Sequence, residues 1–184
     1  MANELRWASQ LYTTLAPAYK LFENYYDGKQ ANIFTSEQMS NNFFRLVHSL
    51  RDNLMPTVVN ALADRLQLAG FSATENATAN DYLSNVFFKA LDTKAGLLHS
   101  RAITTGDSYA IVWPNAAGQA TVYPQKTNSI VLRYEESDLG EDVIAEAVKT
   151  WQASDGRLRV IRYLPDRIER YVTKAKSGKL PEST

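Results

Sequence analysis

The spacing of apolar residues changes once along the chain, near Gly106, from a helical period to an alternating one. Leu5, Ala8, Leu11, Tyr12 and Leu15 fall on one side of a helix, and Ala18, Leu21, Phe22 and Tyr25 extend that stripe, because 3.6 residues per turn bring such positions to one face. Pro17 has no amide to give to an interior turn, so the spacing predicts a helix over 3–26 in two pieces, kinked or restarted there. Asp27-Gly28 closes it, and 29–40 reads as a polar connection. From 41 to 69 the period is helical again: Phe44, Val47, Leu50 and Leu54 line one side, and Val58, Val59, Leu62, Leu66 and Ala69 continue past Pro56. Proline suits a first helical turn, so Pro56 is expected to start a second helix, with Gly70 stopping it. Phe71 to Ala79 reads as a loop. Asp81 is placed to cap a third helix carrying Tyr82, Val86, Phe87, Ala90, Leu91, Leu97, Leu98 and Ala102, closed by Gly106-Asp107.

Beyond Gly106 short runs alternate between turn clusters. Tyr109 to Trp113 and Thr121 to Tyr123 flank Pro114–Gly118 as a hairpin, and Ile130 to Tyr134 is a further strand. Val143 to Trp151 suits helix or strand by composition. The turn at Ser154-Asp155-Gly156 decides for strand. Arg157–Tyr163 and Arg167–Val172, separated by Pro165-Asp166, complete an antiparallel meander. Helices first and strands second is the α+β pattern. The expected organisation is a helical part over 1–105, an antiparallel β part of the same domain over 106–173, and a loop or tail over 174–184.

Composition narrows the function classes. Twenty Lys+Arg balance twenty Asp+Glu, and 45% of residues are hydrophobic, which fits a globular chain rather than a disordered one or a polycation. With no Cys, disulfide scaffolds, thiolate zinc sites and cysteine nucleophiles are excluded. No apolar run reaches the ~20 residues of a membrane span, and the first residues lack the pattern of a secretion signal, so a soluble, non-secreted chain is expected.

Catalytic chemistry finds little material. His48 and His99 have fifty residues between them, and neither has a second imidazole at ligand spacing. Glu135 and Glu136 are adjacent on a strand and so diverge to opposite faces, which does not suit paired-carboxylate chemistry. No glycine-rich phosphate loop and no GxSxG context occur. The expectation is a protein that is not an enzyme, with no catalytic, cofactor-binding or metal-binding residues. A hydrolase would rest on scattered carboxylates alone.

The charges are uneven along the chain. Tyr134 to Val148 holds six acids (Glu135, Glu136, Asp138, Glu141, Asp142, Glu146) and no base, whereas Arg157 to Lys179 holds eight bases and two acids. The two runs are solvated faces, or they pair across the meander, or the acids of one subunit meet the bases of the next, a heterologous contact that closes into rings. On the last reading the subunit-interface candidates are Glu135, Glu136, Asp138, Glu141, Arg157, Arg159, Arg162, Arg167 and Arg170. An alternative from another class is a small stand-alone nucleic-acid-binding module using the Arg/Lys/Tyr-rich segment 157–179, with tyrosines as stacking surfaces.

Four strings occur in a telling order: Tyr25-Tyr26-Asp27-Gly28-Lys29-Gln30; Asn53 through Phe71, with Val58-Val59 and Ala63-Asp64-Arg65-Leu66; His99 through Pro114, with Gly106-Asp107-Ser108-Tyr109 and Val112-Trp113-Pro114; and Lys149-Thr150-Trp151 followed by Tyr163-Leu164-Pro165-Asp166. Together they resemble the N-terminal, wing portion of the portal proteins of long-tailed phages infecting actinobacteria. The resemblance implies a structural virion protein. It would form a ring, usually a dodecamer, at one capsid vertex, through which double-stranded DNA enters in packaging and leaves in ejection. It also implies the terminase large subunit, a head-tail adaptor, and major capsid and scaffolding proteins as partners, with no membrane. The protein would be made in the host bacterial cytoplasm and end at the portal vertex. Family members continue into stem, clip and crown segments, so these residues are expected to represent the wing portion alone.

Overall fold

The computed structural model describes residues 5–29, 52–72, 77–137 and 140–173. Helix α1 (Arg6–Tyr26) is followed by α2 (Met55–Ala63), α3 (Ala77–Tyr82), a π-helical turn (Leu83–Phe87) and α4 (Phe88–Thr105). Six strands come next: β1 (Tyr109–Pro114), β2 (Ala120–Gln125), β3 (Ile130–Glu136), β4 (Asp142–Gln152), β5 (Leu158–Tyr163) and β6 (Ile168–Val172). β1 and β2 form a two-stranded sheet, and β3-β4-β5-β6 form a four-stranded antiparallel meander. The fold is α+β, with helices first and the meander last.

Three local expectations are corrected. α1 continues through Pro17 as one helical span rather than restarting there. An interior proline costs about 3 kcal/mol, and burial on both sides of it, at Ala8 and Tyr19, offsets that cost. α2 does start with Pro56 in its first turn but ends at Ala63 rather than Ala69. Leu62 and Leu66 are about half exposed, so no burial rewards further winding, and the amides of Arg65 and Leu66 bond back only three residues to Leu62 and Ala63. Asp81 lies inside α3 rather than at a cap, where its carboxylate accepts from the Asn85 side chain at 2.6 Å. The helical segment expected over 41–51, and His48 within it, lie outside the described residues.

Chain contacts divide the protein into two units. One comprises Lys20–Ser108 and Val112–Tyr123. In it α2 packs on α4, with Val59, Ala63, Leu91 and Ala95 buried at four-residue spacing. The Tyr82 hydroxyl and the Lys94 ammonium donate to the carbonyls of Ala120 and Val122, at 3.1 and 2.7 Å, and so satisfy the open edge of β2. Gly28, at φ +71°, ends α1: its amide reaches the Tyr25 carbonyl and the Lys29 amide reaches that of Asn24, the paired bonds of a left-handed helix stop. Asn53 joins two helix ends. Its side-chain amide donates to the Tyr26 carbonyl at 2.7 Å, and its carbonyl oxygen accepts from the Met55 amide at 3.2 Å. Asn53→Ala is expected to lower the unfolding free energy by about 1–2 kcal/mol, read from urea unfolding, because both helix ends lose a cap.

The other unit comprises Met1–Tyr19, Tyr109–Ile111 and Pro124–Thr184. Its core joins Leu5 and Ala8 to Val131, Val148 and Val160 of the meander, with Trp7, Leu11, Tyr12, Leu158 and Tyr171 packed around them. The first turns of α1 therefore cover one face of the sheet, called here the inner face. The hairpin turns at Ser137–Gly140 and Ala153–Gly156 close alike. In each, the first residue's amide bonds the carbonyl four residues on, and a glycine at φ +78° donates back to it.

Candidate functional site

Among the described residues, the charged positions singled out by the sequence lie on the four-stranded sheet or in its turns, and strand alternation sorts those on strands by face. Val131, Val148 and Val160 mark the inner face. In register with them, Arg133 stands opposite Glu146, and Arg162 stands opposite both Val148 and Glu169. Charges of alternating sign therefore cross all four strands on the inner face: Arg133, Glu146, Arg162, Glu169.

Glu146 is 1% exposed. The Arg162 Nε donates to its Oε1, and Arg133 Nη2 lies 3.3 Å from its Oε2. Arg162 Nη1 reaches Glu169 Oε2 at 3.2 Å, and Glu169 also accepts from Arg167 Nε at 2.7 Å and the Tyr171 hydroxyl at 2.6 Å. The tyrosine hydroxyl, and then the Arg167 guanidinium, hold the Glu169 carboxyl down to about 2. The hydrogen bond to Glu146 holds the Arg162 guanidinium above its ordinary value. Trp7 lies under Arg133, 5.6 Å from ring centre to guanidinium, and fits a cation–π contact.

A bulge displaces the ladder between Arg133 and Tyr134, leaving Ala145 unpaired. Beyond it Tyr134 pairs with Ile144, Glu135 with Val143, and Glu136 with Asp142. Glu135 stays beside Arg133, 3.5 Å away, while Glu136 falls on the opposite, outer face as strand alternation requires. Glu136 and Asp142 are like charges directly opposite, an arrangement that disfavours the pair. Among the described residues, no cation forms an ion pair with Glu136, Glu141 or Asp142. Around them Tyr134, Val143 and Ile144 are each about half exposed. Glu135, Glu136, Val143, Ile144 and Pro165 line a shallow depression of about 410 Å³.

The bases divide in the same way. Arg162 is not at the surface: its side chain is 12% exposed and its charge is met inside the subunit. Arg167, in the β5–β6 turn, is held by Asp166 and Glu169. Arg157 and Arg159 are exposed at the far end of the sheet, with Arg159 3.7 Å from Asp155. Arg170 is exposed on the outer face, in one row with Ile161 and Lys149. Arg159 stands in the next row with Trp151 and Val172. The sequence reading quoted Lys149 and Trp151 only within a family-like string and did not place Lys149 among the interface candidates; the Lys149 ammonium lies 5.2 Å from the Trp151 ring centre. Their shared parity with Ala147 on β4 was the available signal. Asp138 lies outside the described residues.

His99 sits on α4 with its Nδ1 buried and without a hydrogen-bond partner among the described residues. No cluster of three or more metal-ligating side chains occurs among those residues, and no described helix is long and apolar enough to cross a membrane. No protein-family model matches the sequence, and no curated protein is significantly similar to it.

Proposed function

We propose that the chain is a structural assembly subunit, the wing portion of a phage portal protein, which joins copies of itself into the ring at the capsid vertex. The ordered series of four strings carries this reading, above all Gly106-Asp107-Ser108-Tyr109 running into Val112-Trp113-Pro114. The fold is compatible with it: that string bridges the end of α4 and β1, and the Lys149–Trp151 and Tyr163–Asp166 strings lie on adjacent strands of the meander or in the turn that follows. Exposed charges that form no ion pair among the described residues, at Glu136 and Glu141 and at Arg157 and Arg170, support contacts between copies. The nucleic-acid reading gains less, because Arg162 and Arg167 are already held by acids and Tyr163 and Tyr171 face opposite sides of the sheet.

Flanking genes and self-association test the proposal. A terminase gene upstream, capsid genes downstream and closed rings in electron micrographs of the concentrated protein are the expected results. A chain encoded among metabolic genes and sedimenting as a monomer at every concentration would overturn it.

A further inference from the structure

The outer face of the sheet is polarised along the strands. Glu136 and Asp142 mark one end, and Lys149, Arg170 and Arg159 mark the other. Asp142 and Lys149 are separated by about 20 Å of strand at ~3.3 Å per residue. That exceeds the ~4 Å of an ion pair and the ~8 Å screening length at physiological salt. The two ends of one copy therefore do not neutralise each other. Each end also carries apolar surface beside its charges: the exposed Tyr134 and Ile144 at the acidic end, the exposed Val172 and the half-buried Trp151 ring at the basic end.

We infer that the acidic end of the outer face, at Glu136, Glu141 and Asp142, docks onto the basic end of the outer face of a second copy, at Lys149, Arg159 and Arg170. This inference rests on the ring-forming reading and names the contact that would propagate it. The contact joins unlike surfaces, so each copy keeps one free acidic end and one free basic end, as ring growth requires. The cationic neighbour relieves the opposed Glu136–Asp142 pair. Apolar area around Ile144 and Val172 supplies most of the affinity, and the charges set which end meets which.

The chain has no Cys, so introduced thiols report the contact cleanly. Ile144 and Val172 are 53% and 54% exposed, and Ile144→Cys and Val172→Cys are made in separate full-length proteins. On mild oxidation, the mixture is expected to give a mixed disulfide dimer in large excess over either protein alone. Lys149→Glu with Arg170→Glu in the Val172→Cys partner lowers that yield by about tenfold. Glu136→Lys with Asp142→Lys in the other partner restores it. The double variant carrying both cysteines gives a ladder of oligomers. A closed dimer from the double variant would overturn both this contact as a propagating one and the ring-forming reading. Rings that assemble without any mixed disulfide would overturn the contact and leave the reading standing. A short oligonucleotide that binds the unmodified protein, loses binding on the Lys149→Glu/Arg170→Glu change and finds no mixed disulfide beside it would assign the face to phosphate and overturn the contact.

Discussion

Replacing Arg162 with leucine is expected to lower the unfolding free energy by about 3–5 kcal/mol, the usual cost of removing one partner from a buried ion pair. Glu146 has almost no contact with water, and without Arg162 the ion-pair partner left to its carboxylate among the described residues is the half-exposed Arg133. Glu169 loses less, because Arg167 and Tyr171 still hold it. Changing Glu146 to leucine as well should recover most of the loss, since an apolar pair often replaces a buried ion pair at little net cost. Urea unfolding of the two single variants and the double variant closes a cycle that isolates the coupling. If Arg162→Leu alone stays within ~1 kcal/mol of the unmodified protein, the ladder is not what holds Glu146.

The second large effect is a loss of stability at high pH. Burial pushes the Tyr12 hydroxyl up to about 12 from 10.0, although hydrogen bonding at Thr150 works against the shift. That hydroxyl also donates to the Val148 carbonyl at 3.3 Å. Between these two values the unfolded chain releases the proton and the folded chain keeps it. Folding then binds more protons than unfolding, so stability falls as pH rises from about 10 to about 12 and is unaffected by this group at lower pH. Two pH units correspond to about 2–3 kcal/mol. Tyr12→Phe should remove that part of the decline, leaving a shallower curve to which Tyr163, also raised by burial, still contributes. Equal slopes for the two proteins would show that Tyr12 is not the group responsible.

Much of the fold was legible because local and tertiary preferences agreed. The change of period at Gly106 separates helices from strands, and Pro56, Gly28 and Gly156 each punctuate an element as their backbone chemistry dictates. The errors arose where tertiary packing overrode local signals. Burial carried α1 through Pro17, and the lack of it stopped α2 before Ala69. The candidate site was only half legible. Counted along the chain, the bases from Arg157 to Arg170 form one run, but strand parity divides them. Arg162 shares a face with Val160 and must be met inside, whereas Arg159 lies one residue out of phase and stays in solvent. Glu146 hid in the same way. Its parity with Val148 marked it as an inner residue, and the apolar Val143, Ala145, Ala147 and Trp151 drew attention to the other face.

The π-helical turn at Leu83–Phe87 bears on how the chain can change in length. In a regular α-helix one added residue rotates everything after it by about 100°, which would carry Leu91 and Ala95 away from α2. A turn closed over five residues, as the Phe88 amide closes on the Leu83 carbonyl, absorbs the surplus locally. Here two successive rings, Phe87 and Phe88, meet the Phe71 ring in T-shaped contacts, with ring centres 5.5 and 6.3 Å apart. The helix thus holds a reserve of one residue whose gain or loss leaves the faces before and after it in phase. At this point homologous chains can differ by a single codon without repacking either side.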